Sequence, residues 1–305
     1  MRLIDTVLHK IFLGCALIAL ASPGYAAKPH ADAKPNLIAS VSVTEILQDP
    51  AYQRRLDLKS AKALVVDEST GVRLYSKHAT ERAPIASLTK LMTAMVVLDA
   101  KLPMDTRITI TKDDLDRLRG TTSRLQVGVT LTRRELLHLA LMSSENRASS
   151  ALARTYPGGR SACIAAMNRK ARSLGLRNTS YADSTGLDGH NVSTAEDLAK
   201  IVRAANGYAL IKEYTTCPSR LQKTARNSHP LEYKNTNPLV RKSEWDIAVS
   251  KTGYINEAGR CLVMKARIAG RSVIIVLLNS QGKYSGVGDA ARIKKWIEDA
   301  TRKPT

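Results

Sequence analysis

The sequence predicts a mixed α/β fold of the α+β type, in which the two ends of the chain pair in one antiparallel sheet flanked by helices. Two strand-like apolar runs lie near the start, at residues 63–66 and 72–75, and three lie near the end, at 247–252, 261–268 and 272–278. The sequence between them has mostly helical spacing of its apolar residues, which predicts an inserted helical lobe. A chain of 305 residues is long enough to bury a large core as one domain.

The first 26 residues have the three parts of a secretory signal peptide. Arg2 and Lys10 make the start basic, residues 11–21 are apolar, and small residues precede the expected cleavage point. The apolar run is shorter than the roughly 20 residues that cross a bilayer as a helix, so a cleaved signal peptide (residues 1–26) is favoured over a retained anchor. We therefore expect an exported, periplasmic protein.

The next segment, residues 27–42, is rich in Lys, Pro and Ala and poor in large apolar residues, which is typical of a flexible leader. Ordered structure is expected from about Val43. The runs at 63–66 and 72–75 flank a polar segment that ends in Gly71, so they predict a β-hairpin.

The middle of the chain predicts helices. Between Ser87 and Leu98 apolar residues occupy most faces of a helix, as expected for a helix buried at the centre of the protein. Four further helices, the last with Ser193 as its N-cap, are predicted at residues 132–142, 146–156, 160–174 and 194–205.

The C-terminal part returns to strands. A short turn, Ala269-Gly270-Arg271, joins the last two strand-like runs, and a helix at 288–300 closes the chain. We expect one catalytic domain over residues 43–305, with sheet segments at 43–85 and 240–305 and the helical lobe at 86–239.

The chain is strongly basic, with 47 Lys and Arg against 27 Asp and Glu and a net charge of +20. Loss of the signal peptide lowers this charge to +19, since it removes Arg2, Lys10 and Asp5. In an exported protein such a charge favours peripheral contact with an anionic wall polymer or membrane surface, and a merely solvated basic surface is the alternative of equal weight. Nucleic acid is not an expected partner, because the basic residues are scattered without an aromatic-rich binding signature.

Three cysteines, Cys163, Cys217 and Cys261, remain after the signal peptide, so at most one disulfide can form within the chain. Unpaired thiols are favoured over a redox role. Because no CxxC pair or histidine cluster accompanies the cysteines, neither a metal nor another cofactor is expected.

The first chemical motif is Ser87-Leu88-Thr89-Lys90, in which a hydroxyl and an amine lie three residues apart. On a helix this spacing places both groups on one face within contact range. A serine becomes a good nucleophile when a base removes its proton, and a lysine can do so when burial lowers its pKa. The apolar residues around Lys90 favour such burial.

Two further motifs lie downstream. Ser144-Glu145-Asn146 stands between two predicted helices, where its hydroxyl and carboxamide can relay a proton and bind a peptide amide. A helix N-cap is the alternative interpretation of this triplet. Lys251-Thr252-Gly253 lies on a predicted strand, where a cation and a hydroxyl can bind a carboxylate and Gly253 permits close backbone approach.

In this order the three motifs resemble those of the low-molecular-mass penicillin-binding proteins, the serine DD-peptidases that comprise D-Ala-D-Ala carboxypeptidases and endopeptidases. The similarity extends from Val43 to the end of the chain and includes the stretches 183–187 and 193–198. The resemblance implies a β-lactamase/DD-peptidase-like fold and a serine-type hydrolase of peptidoglycan peptides that β-lactams acylate and inhibit.

Carried over residue by residue, the resemblance implies that Ser87 is acylated, that Lys90 is the general base and that Ser144 passes the proton to the leaving amine. Asn146 would hold the substrate peptide. A terminal carboxylate would bind to Lys251 and Thr252 beside Gly253, and the backbone amides of Ser87 and Tyr254 would form the oxyanion hole.

Two stretches, 142–148 and 251–256, are most similar to the penicillin-binding protein 7 type, the soluble D-alanyl-D-alanine endopeptidases. Carboxypeptidase relatives often have a further β-domain and a C-terminal amphipathic anchor, and neither follows the last predicted helix. We therefore expect a DD-endopeptidase, with a D-Ala-D-Ala carboxypeptidase as the alternative.

Two other hypotheses remain open. A β-lactamase would need a carboxylate that activates water, and Glu232-Tyr233-Lys234-Asn235 matches the corresponding class A pattern, but it lies much farther beyond the second motif than in that class. A catalytically silent wall-binding scaffold would use the basic surface alone, which the presence of every motif side chain disfavours.

Overall fold

The computed structural model describes residues 42–224 and 229–302. The predicted signal peptide and, apart from Ser42, the predicted leader lie outside these residues. Within the two described ranges, no helix combines the length and the apolar character that crossing a membrane requires.

The described residues form strands and helices in alternating groups. The strands are β1 (Ser60–Asp67), β2 (Arg73–Lys77), β3 (Ala83–Pro84), β4 (Arg107–Thr109), β5 (Thr130–Thr132), β6 (Val192–Ser193), β7 (Ser219–Gln222), β8 (Leu231–Lys234), β9 (Asp246–Ile255), β10 (Gly259–Ile268) and β11 (Arg271–Ser280). The helices are α1 (Val43–Gln48), α2 (Pro50–Gln53), α3 (Thr89–Asp99), α4 (Arg133–Met142), α5 (Asn146–Arg154), α6 (Gly159–Ser173), α7 (Ala195–Ala205), α8 (Ala209–Thr216) and α9 (Ser285–Thr301).

Five strands form the predicted antiparallel sheet, in the order β2-β1-β11-β10-β9. Val65 of β1 pairs with Ile275 of β11, and Val263 of β10 pairs with Val276 of β11 on one side and Lys251 of β9 on the other. Strands from both ends of the chain thus meet in one sheet, and the predicted α+β fold is confirmed. Strand β9 forms an edge of this sheet.

Side chains that alternate along the strands supply two hydrophobic cores, one on each face of the sheet. On one face Leu64 and Val263 pack with the helices of the lobe. On the other face Val65 and Leu262 pack with α1 and α9, whose Trp296 is buried there. The sheet is therefore covered on both faces, as its long apolar runs require.

Helix α3 lies at the centre of the lobe. Its residues from Thr89 to Val97 are all buried, in agreement with the apolar character predicted for most of its faces. A polar residue on such a helix has no route to solvent along the helix surface. Lys90, in the first turn, is therefore enclosed by protein.

The predicted elements are all present, but two features differ from the prediction. The N-cap of α7 is Thr194, whose side chain accepts a hydrogen bond from the Asp197 amide, and the predicted cap Ser193 instead pairs with Ala83 in the small β3–β6 sheet. The lobe also contains α8 and the hairpin β7–β8, which were not predicted. These elements are short, and their few apolar residues do not form a clear helical or alternating pattern.

Candidate active site

A constrained turn precedes α3 and presents Ser87. Ala86 adopts a left-handed backbone conformation with φ +48°, which costs about 1–2 kcal/mol for a residue with a Cβ. Two glycines enclose this turn. A Cβ on Gly186 would lie 1.9 Å from the Ala86 carbonyl oxygen, and a Cβ on Gly253 would lie 2.8 Å from the Ser87 amide nitrogen. Glycine at both positions lets two distant backbone segments hold the turn.

Ser87 and Lys90 meet as their spacing predicts. Lys90 Nζ lies 2.8 Å from Ser87 Oγ, and only 1% of Lys90 is exposed. The amine also contacts Asn146 Oδ1 at 2.8 Å and the Thr185 carbonyl oxygen at 2.6 Å. A neutral amine has two N–H groups and one lone pair, so these two oxygens can accept both N–H groups and leave the lone pair directed at the Ser87 hydroxyl.

Burial lowers the pKa of Lys90 from its usual value to about 8, and the carboxylates of Asp183 and Glu145 partly offset this effect. Removing an ammonium from water disfavours its charged form, which is why burial has this sign. A lysine with a pKa near 8 has a substantial neutral fraction close to neutral pH. The Lys90 amine can therefore act as a base.

The second motif occupies the turn between α4 and α5. Ser144 has a left-handed backbone with φ +60°, and Glu145, rather than either serine, is the N-cap of α5, accepting from the Arg147 amide at 3.1 Å. The turn thereby places Asn146 in the first turn of α5. The Nδ2 group of Asn146 donates to Thr121 Oγ1 at 3.2 Å, which leaves its Oδ1 for Lys90.

Lys251 reaches the same centre from the sheet. Its Nζ contacts Ser144 Oγ at 2.9 Å and the Thr252 carbonyl oxygen at 2.8 Å, and the residue is 1% exposed. Burial, together with the nearby charge of Lys90, holds the pKa of Lys251 well below its usual range. Each enclosed amine therefore contacts one motif serine, and electrostatic repulsion between the two amines disfavours their simultaneous protonation.

The edge strand β9 supplies the remaining predicted residues. The Thr252 hydroxyl donates to Thr236 Oγ1 at 2.6 Å, on the side of β9 opposite to Lys251. Gly253 lies against Ser87, and the side chain of the next residue, Tyr254, is 54% exposed. The structure thus brings Ser87, Ser144, Asn146, Thr252, Gly253 and Tyr254 to the lining of one cavity of about 600 Å³.

Sequence reasoning missed two contributors to the surroundings of Lys90. The Thr185 carbonyl binds Lys90, and its segment is held by Asp183, whose carboxylate accepts from the Gly186 amide at 2.9 Å and from Asn191 Nδ2 at 2.5 Å. The stretch 183–187 belongs to the resemblance described above, but a backbone contact across 95 residues leaves no pattern in the sequence.

The other candidate residues form no hydrogen bond with Ser87, Lys90 or Lys251 in the described part of the chain, although Cys261, the strand partner of Gly253, lines the same cavity. Cys163, Cys217 and Cys261 are free thiols, the favoured interpretation, and burial raises the pKa of Cys163 and Cys261 to about 12. Glu232 lines a separate depression with Arg124 and Lys234, which does not include Ser87. Among residues 42–224 and 229–302, no group of three or more His, Cys, Asp or Glu side chains can hold a metal ion.

Comparison with known proteins identifies the family. The model of the D-alanyl-D-alanine carboxypeptidase peptidase family matches residues 48–282. A D-alanyl-D-alanine endopeptidase of Pseudomonas aeruginosa is 47% identical over 242 residues, 79% of this chain and 78% of that protein. The D-alanyl-D-alanine endopeptidase of Escherichia coli is 44% identical over the same shares.

A solved structure shows the same fold. The crystal structure of a Streptomyces DD-transpeptidase superposes with a TM-score of 0.73 at 30% identity, over 80% of this chain and 98% of that one. The predicted family and the predicted β-lactamase/DD-peptidase-like fold are therefore confirmed. This chain belongs to the D-alanyl-D-alanine carboxypeptidase family and is a serine peptidase of the DD-peptidase type, with the penicillin-binding protein 7 type among its relatives.

Proposed function

We propose that this protein is a DD-endopeptidase that hydrolyses D-Ala-containing peptide cross-links of peptidoglycan through an acyl-enzyme on Ser87. The observation that best supports the chemistry is the 2.8 Å contact between Ser87 Oγ and Lys90 Nζ inside a buried site. The support for the endopeptidase specificity is the 47% and 44% identity to two D-alanyl-D-alanine endopeptidases.

In the acylation step, the neutral amine of Lys90 accepts the hydroxyl proton of Ser87 while Oγ attacks the D-Ala carbonyl carbon. The two oxygens that face Lys90, from Asn146 and Thr185, stabilise the ammonium that forms. The backbone amides of Ser87 and Tyr254 donate to the developing oxyanion. The close approach of Gly253 to the Ser87 amide supports this pairing.

The leaving amine then needs a proton. Ser144 is the donor, and Lys251, 2.9 Å away, replaces the proton that the hydroxyl gives up. The carbonyl–nitrogen bond breaks, the amine departs neutral, and the acyl group stays on Ser87. Lys251 and Thr252 bind the carboxylate of the leaving portion, and an anion at this point favours the protonated form of Lys251.

Water completes the cycle. Its oxygen bonds to the ester carbonyl carbon, the bond to Ser87 Oγ breaks, and Oγ takes back the proton that Lys90 holds. Of the two protons of water, one restores Lys251 and the other goes to solvent as the acyl peptide leaves as a free carboxylate. A β-lactam passes through the same first step, but its amine remains tethered to the acyl group, so hydrolysis is slow and the enzyme is inhibited. No carboxylate from Glu232 assists water in this scheme, since that residue lines a different depression. This arrangement favours a peptidase over a β-lactamase.

The proposal extends to the setting of the enzyme. Residues 43–305 are the catalytic domain, residues 1–26 are a cleaved signal peptide, and the enzyme works in the periplasm. Its substrate is a polymer rich in carboxylates, to which the mature chain is attracted, since its net charge falls only from +20 to +19 when the signal peptide is removed. Peripheral contact with anionic membrane lipids is a second use of the same charge.

The decisive experiment compares two substrates. Purified enzyme is incubated with a cross-linked muropeptide dimer and with a monomeric pentapeptide ending in D-Ala-D-Ala, and the products are identified by mass. We expect cleavage of the dimer to two monomers. Release of D-Ala from the pentapeptide with an intact dimer would instead assign the alternative, a carboxypeptidase. Ser87→Ala is the matched inactive control, since it removes one oxygen from the reacting centre.

A further inference from the structure

The catalytic cavity extends well past the reacting serine. From Ser87, Ser144 and Asn146 it continues around the edge strand β9 to the beginning of α9. We call this extension the leaving-side groove, and its lining residues are Leu262, Lys283, Tyr284, Gly286 and Val287. A cavity of about 600 Å³ is much larger than a single D-Ala residue needs.

The direction of the extension follows from the alternation of side chains along β9. Lys251 points to Ser144 and the Gly253 Cα faces Ser87, so both face the lobe. Thr252 therefore faces the opposite side, where its strand partner is Leu262. The leaving-side groove begins at the hydroxyl that, in the proposed function, binds the carboxylate of the departing portion.

The groove has the chemistry of a peptide-binding surface. Tyr254 and Tyr284 are 54% and 67% exposed and stand at its rim. The Arg260 guanidinium lies 4.8 Å from the Tyr254 ring centre, and the Lys283 amine lies 5.4 Å from the Tyr284 ring centre. Within the described part of the chain, neither cation forms an ion pair with an Asp or Glu. Exposed aromatic rings beside unpaired cations fit a peptide that has carboxylates.

We propose that the leaving-side groove binds the second stem peptide of a cross-linked dimer, the peptide that departs with the new amine, through Lys283 and Tyr284. This inference rests on the proposed endopeptidase function and adds the site that holds its larger leaving group. A monomeric pentapeptide releases only D-Ala, which ends near Thr252 and does not reach Tyr284. The groove therefore contributes to selection of cross-linked substrates.

The double variant Lys283→Ala/Tyr284→Ala tests this proposal. Three rates are measured: cleavage of the cross-linked dimer, release of D-Ala from the pentapeptide, and acylation by a fluorescent penicillin. Loss of one aromatic anchor and one cation should lower kcat/KM for the dimer about tenfold more than it lowers the other two rates. The matched control, Leu221→Ala/Lys295→Ala, removes one exposed apolar side chain and one exposed cation away from the cavity.

The outcomes separate this inference from the function on which it rests. If the wild-type enzyme cleaves the dimer and the double variant does so equally well, the groove does not bind the second peptide and the endopeptidase function stands. A parallel fall of all three rates also overturns the inference, because the two residues would then support the reacting centre. A wild-type enzyme that leaves the dimer intact overturns both proposals.

Discussion

The two walls of the catalytic cavity are built by different means. On the lobe wall, Lys90 and Asn146 lie in the first turns of two helices and hold each other through a 2.8 Å hydrogen bond between their side chains. On the sheet wall, Gly253 meets the turn at Ser87 through backbone proximity, without a side chain. The geometry of the lobe wall thus depends on a hydrogen bond between side chains. The geometry of the sheet wall depends on how closely the backbone of β9 approaches Ser87. Substitutions on the two walls should therefore impair acylation in different ways.

The largest loss of acylation rate is expected from a substitution on the lobe wall. Lys90→Met keeps a long apolar stem in a buried position but removes the base, so acylation by a fluorescent penicillin should slow about a thousandfold. The thermal midpoint should change little, because relief from burying an ionisable group offsets the buried hydrogen bonds that Asn146 Oδ1 and the Thr185 carbonyl lose. Lys295→Met, at an exposed position on α9, is the control. An unchanged acylation rate in Lys90→Met would remove the base from the proposed mechanism.

The next effect probes the sheet wall. In Gly253→Ala the added Cβ would lie 2.8 Å from the Ser87 amide nitrogen, so β9 must move away and the oxyanion donors separate. We expect the acylation rate to fall about a hundredfold, with little change in the affinity for penicillin. The control Gly189→Ala has no atom closer than 4.0 Å to the new methyl group and should behave as wild type. Equal rates for both variants would show that backbone proximity is unimportant here.

A pH titration tests the amine of the lobe wall. The base must be neutral to act, and burial lowers the pKa of Lys90 to about 8, so the acylation rate should rise with pH through that value. Between pH 7 and 9 the neutral fraction, and hence the rate, increases about tenfold. A rate that is flat over this interval, measured by stopped-flow labelling, would mean that Lys90 is already neutral at pH 7.

The smallest change in acylation rate is expected at a contact between a loop of the lobe and the turn that follows β9. Arg119 pairs with Glu257 at 2.9 Å and also donates to the Leu187 carbonyl at 2.5 Å. The carboxylate is more than half exposed, so Glu257→Gln should change the acylation rate less than about twofold. A large change at low salt that vanishes at high salt would show that this ion pair holds the two walls in register.

The same contrast explains what could be predicted from the sequence. Ser87 and Lys90 were predicted as a contacting pair because a spacing of three residues places two side chains on the same face of a helix. The central sheet followed from apolar runs at both chain ends. The Thr185 carbonyl and the Gly186 contact were not predicted, because both depend on backbone atoms about a hundred residues from Ser87. Thr194 displaced Ser193 as the cap of α7 because Ser193 is committed to a strand pair, a tertiary effect that local preference does not contain.

The left-handed conformation at Ala86 links reactivity to completed folding. This backbone conformation is costly on its own and is maintained where Gly186 and Gly253, from two segments far along the chain, close around it. In the proposed mechanism, a newly made chain in which Gly186 or Gly253 is not yet in place contains Ser87 but does not present it as a nucleophile. We therefore expect a fluorescent penicillin to label only completely folded molecules, so that the ratio of labelled to total protein would report the folded fraction.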